Sequence, residues 1–175
     1  MSILPICTYP ERVLRQKAER VRNIDEGIQR LIDDMIETMY NAPGSGLAAN
    51  QVGRALSVLV IDIQRDESEL IVLINPEIVS AQGKTTSEEG CLSVPEYFAK
   101  VTRYEDVVVR GLNRLGEEME IAADGLLAIA LQHEVDHLEG KLFIDRINTV
   151  ARDIFKRKWK KKLKEEREEA QPCLD

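Results

Sequence analysis

The sequence predicts an α+β domain in which central antiparallel or mixed β-sheets surround one helix, with an N-terminal helix and a C-terminal helix beside them. Three observations carry this prediction: an early segment has helical apolar spacing, several short β-branched segments follow it, and two helical segments come last. Strands grouped between one early helix and two late ones are typical of α+β proteins rather than of alternating βαβ units.

The length and composition fit one small globular domain. With 175 residues, the chain is expected to form a single domain over residues 1–170, followed by a short flexible tail at 171–175. Apolar residues make up 43% of the chain and charged residues 31%, which suffices for a core and excludes disorder throughout. No apolar run approaches the roughly 18 residues that cross a bilayer, so neither export nor membrane insertion is expected.

The cysteine and charge patterns limit the cellular compartment and the binding partners that the protein can be expected to have. Cys7, Cys91 and Cys173 are odd in number and far apart, a poor disulfide framework that fits a reducing compartment and predicts a cytoplasmic protein. The net charge is −7, but a basic stretch begins at Arg152 and ends at Lys164. An acidic body with this local basic segment argues against general DNA binding and permits a polyanion contact at one end.

The first helix is predicted over residues 24–39, where apolar residues recur at helical spacing. It is expected to end before Pro43, because proline disfavours helical geometry in the residue that precedes it. The glycine-rich residues 44–53 that follow are predicted to form a loop.

Four central segments are predicted as strands, because each is short, rich in β-branched residues and bounded by polar or glycine-containing turns. They cover residues 56–63, 70–79, 104–112 and 117–122.

Two helices are predicted in the last third of the chain. The second helix spans about residues 125–139, with Asp124 as a plausible N-cap and Gly140 where a helix usually stops. The third spans about 148–170 and carries an apolar seam that thins out into Lys and Glu. Its far end is expected to be solvated.

The only two histidines of the chain, His133 and His137, lie four residues apart on the second predicted helix. Four helical steps bring both imidazoles to within about 40° of each other on one face, the spacing that grips a single metal ion. Glu134 could then act as a base on a nearby water rather than as a ligand. Two unrelated histidines in an ordinary helix are the alternative, which this pattern disfavours.

A catalytic metal site needs a third protein ligand, which here has to come from Cys, Asp or Glu. The extended metalloprotease pattern is excluded because Phe143 stands where its third histidine would be. A downstream glutamate ligand is disfavoured, since residues 165–169 lie in a highly charged segment without apolar surroundings. Cys91 is the better candidate, in a polar segment before Pro95 where irregular backbone could point its thiol inward. Cys91 as a simple packing residue is the alternative.

Three short segments of the sequence, taken together, resemble the motifs of a known protein family. Residues 44–51 read GSGLAANQ, residues 89–93 read EGCLS and residues 132–137 read QHEVDH. In this order and at these separations they resemble the three motifs of the peptide deformylase family, and the resemblance extends from near Ile3 through residues 141–145.

The resemblance implies a metal-dependent hydrolase. Enzymes of this family remove the formyl group from the N-terminal formylmethionine of newly made bacterial proteins, with a divalent metal that is natively Fe(II). By resemblance, Cys91, His133 and His137 are the metal ligands, and one coordination position stays open. A ligand set containing a thiolate is also compatible with zinc, nickel or cobalt in purified protein.

The resemblance also implies the roles of the remaining site residues. Glu134 is expected to carry a proton from water to the departing amine. The Gln51 side-chain amide and the Leu92 backbone N–H are expected to stabilise negative charge on the formyl oxygen. The expected substrate-binding residues are Gly46, Glu89, Gly90, Leu126, Ile129 and Ala130.

Two residues depart from the family pattern. Ser45 stands where relatives often carry an aliphatic residue, and Phe98 stands where many carry an arginine proposed to contact the peptide. The resemblance therefore carries over the metal chemistry, but not the shape of the methionine pocket or the peptide preference.

The expected partner is a nascent peptide that begins with formylmethionine, with neither DNA nor a membrane involved. Some relatives dock at the ribosome through a C-terminal helix, so the basic stretch from Arg152 to Lys164 could contact ribosomal RNA; a merely solvated helix face is the alternative. Two other functions compete: a zinc-dependent endopeptidase of the HExxH type, and a noncatalytic protein with a structural metal. A structural site needs four protein ligands, and no nearby second cysteine or third histidine supplies one.

Overall fold

In the computed structural model, which describes residues 2–170, a five-stranded antiparallel sheet carries one helix on each face and a separate β-hairpin stands beside it. The helices are α1 (Glu26–Asn41), α2 (Gly125–Leu138) and α3 (Thr149–Ala170). The strands are β1 (Gly46–Ala48), β2 (Val58–Ile61), β3 (Ile71–Gln82), β4 (Thr85–Cys91), β5 (Val94–Arg103), β6 (Asp106–Leu112) and β7 (Glu118–Ala123). The large sheet has the order β1-β2-β3-β6-β7, and β4 pairs with β5.

Strand β2 shows how the sheet joins the two helices. Val58 and Val60 pack in one core cluster with α1, whereas Leu59 and Ile61 pack in another with α2. Successive side chains of a strand point to opposite faces, so a strand covered on both faces has to be apolar throughout. This arrangement explains the uninterrupted apolar run that marks β2 in the sequence and confirms the α+β prediction.

The predicted helices form with small shifts at their ends. Asp25 caps α1 by accepting a hydrogen bond from the Ile28 backbone N–H at 3.0 Å, which places the start of α1 two residues later than predicted. Asp124 precedes α2 but makes no side-chain capping bond. Gly140 has φ of +71°, a left-handed conformation that favours glycine and ends the helix as expected.

The hairpin formed by β4 and β5 was missed by the sequence analysis. Strand β4 reads TTSEEGC, which shows neither apolar alternation nor β-branched enrichment over its length. Its extended conformation depends on pairing with β5, in register from Thr85 opposite Arg103. Cys91 is the last residue of β4, and the pairing is irregular between Glu89 and Cys91, in agreement with the irregular backbone expected there. A short strand, β1, lies in the predicted glycine-rich loop.

Helix α3 packs across the hairpin through aromatic side chains. Phe155 and Trp159 are buried in a cluster with Val94 and Val101 of β5, and Trp159 Nε1 donates a hydrogen bond to the Tyr9 carbonyl at 2.9 Å. The predicted apolar seam is narrower than expected, because Val150 and Ile154 at its start are exposed.

Two further expectations concern the C-terminal tail and the absence of a membrane-spanning segment. The flexible tail predicted at 171–175, together with Cys173, lies outside the described residues. Over residues 2–170, no helix has both the length and the apolar character that a membrane crossing requires.

Candidate active site

Helix α2 places the two histidines on one buried face. His133 and His137 are both buried, and their Nε2 atoms lie 3.2 Å apart. Two imidazole nitrogens that bind one tetrahedral metal ion at 2.0–2.1 Å would be about 3.3 Å from each other. The pair therefore has the geometry that the four-residue spacing predicts.

Cys91 brings a sulfur atom to the same point from the end of β4. Its Sγ lies 3.2 Å from His137 Nε2, and the donor atoms of Cys91, His133 and His137 all lie within 4.8 Å of one another. One thiolate and two imidazoles suit zinc and the divalent metals of similar softness. The three residues thus fit a single metal ion.

A buried network of charges holds His133 in place. Glu89 Oε2 accepts a hydrogen bond from His133 Nδ1 at 2.9 Å, which turns the other ring nitrogen, Nε2, toward Cys91 and His137. Arg103 donates to both oxygens of Glu89, at 2.8 and 2.9 Å. Burial by itself would raise the pKa of Glu89, but the hydrogen bonds from Arg103 and His133 lower it to about 2. Glu89 therefore stays ionised and fixes the histidine ring.

Arg103 also links Glu89 to a second buried carboxylate, that of Asp136 on α2. It donates to Asp136, which in addition accepts a hydrogen bond from Arg146 Nε at 2.8 Å. Burial favours the neutral form of Asp136, but Arg146 and Arg103 outweigh that effect and lower its pKa. Arg103 is only 3% exposed and holds two buried carboxylates, which makes it a central support of the site that the sequence analysis missed.

Glu134 differs from these paired carboxylates. It is 5% exposed, and its Oε2 is buried without a hydrogen-bond partner among the described residues. Burial raises its pKa to about 7, even though His133 and Arg103 act in the opposite direction. A carboxyl group with a pKa near neutrality is suited to take up and release a proton.

Gly46 of β1 lies directly against the Glu134 carboxylate. A Cβ atom at this position would come within 2.6 Å of Glu134 Oε1, so only glycine lets the β1 backbone approach this closely. This contact gives a physical reason for the glycine in the first motif.

Gln51 has its side-chain amide oriented by neighbouring groups. Its Oε1 accepts a hydrogen bond from the Ala48 backbone N–H at 2.8 Å, which turns Nε2 toward Ser93 Oγ at 3.3 Å and Cys91 Sγ at 3.6 Å. The amide N–H groups therefore face the Cys91 thiol.

An open cleft of about 260 Å³ adjoins the cluster. The structure brings all the predicted substrate-binding residues to its walls, together with the predicted catalytic residues. Those lining the cleft are Gly46, Gln51, Glu89, Gly90, Cys91, Leu92, Leu126, Ile129, Ala130, His133 and Glu134. Both carboxylate oxygens of Glu89 already accept hydrogen bonds from protein groups, so its side chain orients His133.

Three other residues bear on the shape of the cleft. Ser45 and Ile63 both line the cleft. The sequence analysis did not identify Ile63, because nothing in its local sequence distinguishes it from other apolar residues near a strand end. Phe98 is 65% exposed and covers Gly90, where a Cβ atom would come within 2.5 Å of the ring. The aromatic ring thus stands at the rim of the cleft, outside its lining.

Comparison with known proteins gives a consistent result. The family model described as Polypeptide deformylase matches residues 3–153. A peptide deformylase from Syntrophobacter fumaroxidans is 70% identical over 167 residues, which cover 94% of this chain and 98% of that protein. One from Thermodesulfovibrio yellowstonii is 53% identical over 164 residues, or 93% of this chain and 99% of that protein.

Solved structures agree with these sequence matches. The crystal structure of a peptide deformylase from Legionella pneumophila is 46% identical and superimposes with a TM-score of 0.89. The match covers 98% of this chain and 100% of that chain. The similarity therefore includes the sheet, the hairpin and the helix that carry the cluster.

Proposed function

The chain belongs to the peptide deformylase family, and on this premise we propose that it hydrolyses the N-terminal formyl group of formylmethionine on nascent polypeptides, releasing formate. One observation carries the proposal: a Cys91, His133 and His137 cluster lies beside the buried Glu134 carboxyl in an open cleft. The zinc-dependent endopeptidase is not favoured, because the matched relatives are deformylases over nearly their full length.

The ion-binding residues of the proposal are Cys91, His133 and His137. A divalent metal held there supplies Lewis-acid chemistry and makes water acidic enough to act as a nucleophile near neutral pH. We expect Fe(II) as the native ion, on the strength of the family resemblance, and zinc, nickel or cobalt suit the same ligands.

Glu134 is the proton carrier of the reaction. Water adds to the formyl carbon and loses a proton to the Glu134 carboxylate, and the carbon–nitrogen bond then breaks. Glu134 returns that proton to the nitrogen, so that the products are formate and a free amino terminus. The unpartnered Oε2 and the raised pKa both suit this exchange.

Two donors stabilise the negative charge that develops on the formyl oxygen. They are the Gln51 side-chain amide, which is already turned toward Cys91, and the Leu92 backbone N–H. A single donor of this kind is typically worth about 3 kcal/mol in the transition state.

The methionine side chain occupies the apolar side of the cleft. Leu126, Ile129 and Ala130 face it from α2 at helical spacing, and Gly46 borders it from β1. Because Leu126 is 68% exposed without a ligand, the methionine would cover apolar surface that is otherwise in contact with water.

The direct test compares substrates. The metal-loaded protein should release formate from a formyl-Met peptide, and it should leave an acetyl-Met peptide and casein intact. Metal analysis of anaerobically purified protein should find about one ion per chain, since one cluster can hold one ion. Casein cleavage without formate release would overturn the proposal in favour of the endopeptidase.

We further propose that the enzyme acts in the cytoplasm and that α3 brings it to the ribosome. The two described cysteines, Cys7 and Cys91, are unpaired thiols, as a reducing compartment requires. Along α3, one exposed surface carries Arg157, Lys160, Lys161 and Lys164. Lys162 instead pairs with Glu96 and lies 5.5 Å from the Trp159 ring, so it belongs to the contact between α3 and the hairpin.

Charge reversal separates ribosome binding from catalysis. The triple variant with Lys160→Glu, Lys161→Glu and Lys164→Glu should sediment less with ribosomes at low salt, because phosphate contacts depend on positive charge. It should hydrolyse a free formyl-Met peptide at the rate of the unmodified protein. Lys84→Glu, on the turn between β3 and β4, is the control for a remote charge change. Unchanged sedimentation of the triple variant would reject the ribosome contact.

A further inference from the structure

The turn that follows β2 is built around a buried carboxylate. Asp62 is completely buried, and its oxygens accept hydrogen bonds from the Gln64, Arg65 and Glu67 backbone N–H groups at 3.1, 2.8 and 2.9 Å. They also accept one from the Tyr40 hydroxyl. The turn holds Arg65 at φ of +59°, a conformation that a non-glycine residue adopts only when its surroundings impose it.

The Arg65 guanidinium reaches back to the end of α1. Its Nη2 donates to the Tyr40 and Ala42 carbonyls, each at 2.8 Å, and its Nη1 donates to the Gly44 carbonyl. Helix α1 has no basic residue in its last turn, and it ends at Asn41 with Ala42, not glycine, as its C-cap residue. Of the carbonyls that the end of α1 leaves without helical partners, Arg65 thus satisfies that of Tyr40, together with the carbonyls of Ala42 and Gly44 just beyond the helix.

The segment that Arg65 holds leads directly into the cleft. Gly44, Ser45 and Gly46 all line it, and the Asp62 backbone N–H donates to the Ser45 carbonyl at 2.8 Å. The turn therefore binds two consecutive carbonyls of this wall, Gly44 through Arg65 and Ser45 through Asp62. The next residue along the wall, Gly46, is the one in contact with Glu134.

We propose that Arg65 is a positioning residue for substrate binding. It fixes the position of residues 44–46, the part of the cleft wall against which the formylmethionine end of the peptide lies. The proposal rests on the proposed function, since it concerns the same cleft. Arg65 touches neither the metal ligands nor any reacting atom, so its loss acts on binding geometry. The guanidinium divides the carbonyls that it binds between two nitrogens in a fixed plane, whereas a lysine carries all its donors on one nitrogen and cannot reproduce that span.

The experiment measures kcat and KM for a formyl-Met peptide with the metal-loaded Arg65→Lys and Arg65→Ala proteins. We expect KM to rise about tenfold or more in both, because a displaced wall loses contacts with the peptide that the bound substrate and the transition state share. We expect kcat to stay within about threefold, since the hydrogen bonds of Arg65 go to main-chain carbonyls and not to the metal ligands or Glu134. Metal content should be unchanged. Arg30→Ala is the control: this exposed arginine of α1 pairs only with Glu26 one helical turn away.

The outcomes separate this proposal from the proposed function. Absence of formate release by the unmodified protein would overturn both. If that protein is active and KM of Arg65→Lys stays within about twofold of it, Arg65 does not position the wall. A fall in kcat or in metal content at unchanged KM would likewise overturn the role. Should Arg65→Ala fail to fold, Arg65→Lys, which keeps the charge and most of the side-chain length, still decides the question.

Discussion

Replacing Glu134 with glutamine should lower kcat for a formyl-Met peptide by roughly 1,000-fold while the protein keeps its fold and its metal. Glutamine has nearly the shape of glutamate but cannot take a proton from water and return it to an amine. Glu134 is not among the three grouped donor residues, so its replacement leaves the coordination intact. Activity is measured as formate release, metal content by elemental analysis and folding by thermal unfolding.

The matched control is Glu139→Gln, at the C-cap position directly after α2 and five residues from Glu134. Glu139 is partly exposed and pairs with Lys17 across the surface, and an exposed pair of this kind contributes little to stability. Its replacement should leave kcat unchanged. If Glu134→Gln retained most of the activity, the proton-transfer role would be wrong, and a purely structural metal site would become the better explanation.

Helix α2 could be predicted from the sequence because its signals are local. The four-residue spacing of His133 and His137 has meaning only on a helix, and Gly140 marks where that helix ends. The structure then places both histidines on one buried face at metal-binding distance. Comparison of the Cys, Asp and Glu residues made Cys91 the better candidate for the third ligand, but only the resemblance assigned it that role, since an isolated cysteine is more often a packing residue.

The supports of the site could not be predicted because they are set by tertiary contacts. Arg103 lies 30 residues before His133, and its buried position between Glu89 and Asp136 depends on a hairpin whose first strand looks like a polar loop. Arg65 likewise has the sequence context of an ordinary charged turn. Its partners are main-chain carbonyls at the end of α1, and main-chain carbonyls leave no trace in the side-chain pattern.

Replacing Cys91 with serine should weaken metal binding by more than about 100-fold, since even residues that merely support a ligand cost 10- to 100-fold when lost. A serine hydroxyl remains protonated at neutral pH and is a poor substitute for a thiolate. Only the two imidazoles would then hold the ion. Metal content after dialysis against a weak chelator measures the effect, and formate release should fall in parallel.

Cys7→Ser provides the matched control, because Cys7 is also a half-buried free thiol and is not among the grouped metal-binding residues. It should retain its metal and its activity. The pair of variants separates the loss of a ligand from the loss of any partly buried sulfur. Full metal occupancy in Cys91→Ser would show that another side chain completes the site, and the assignment of a deformylase centre to Cys91, His133 and His137 would then fail. If only Cys91→Ser loses its metal, the third ligand is the thiol at the end of β4, where the hairpin meets α2.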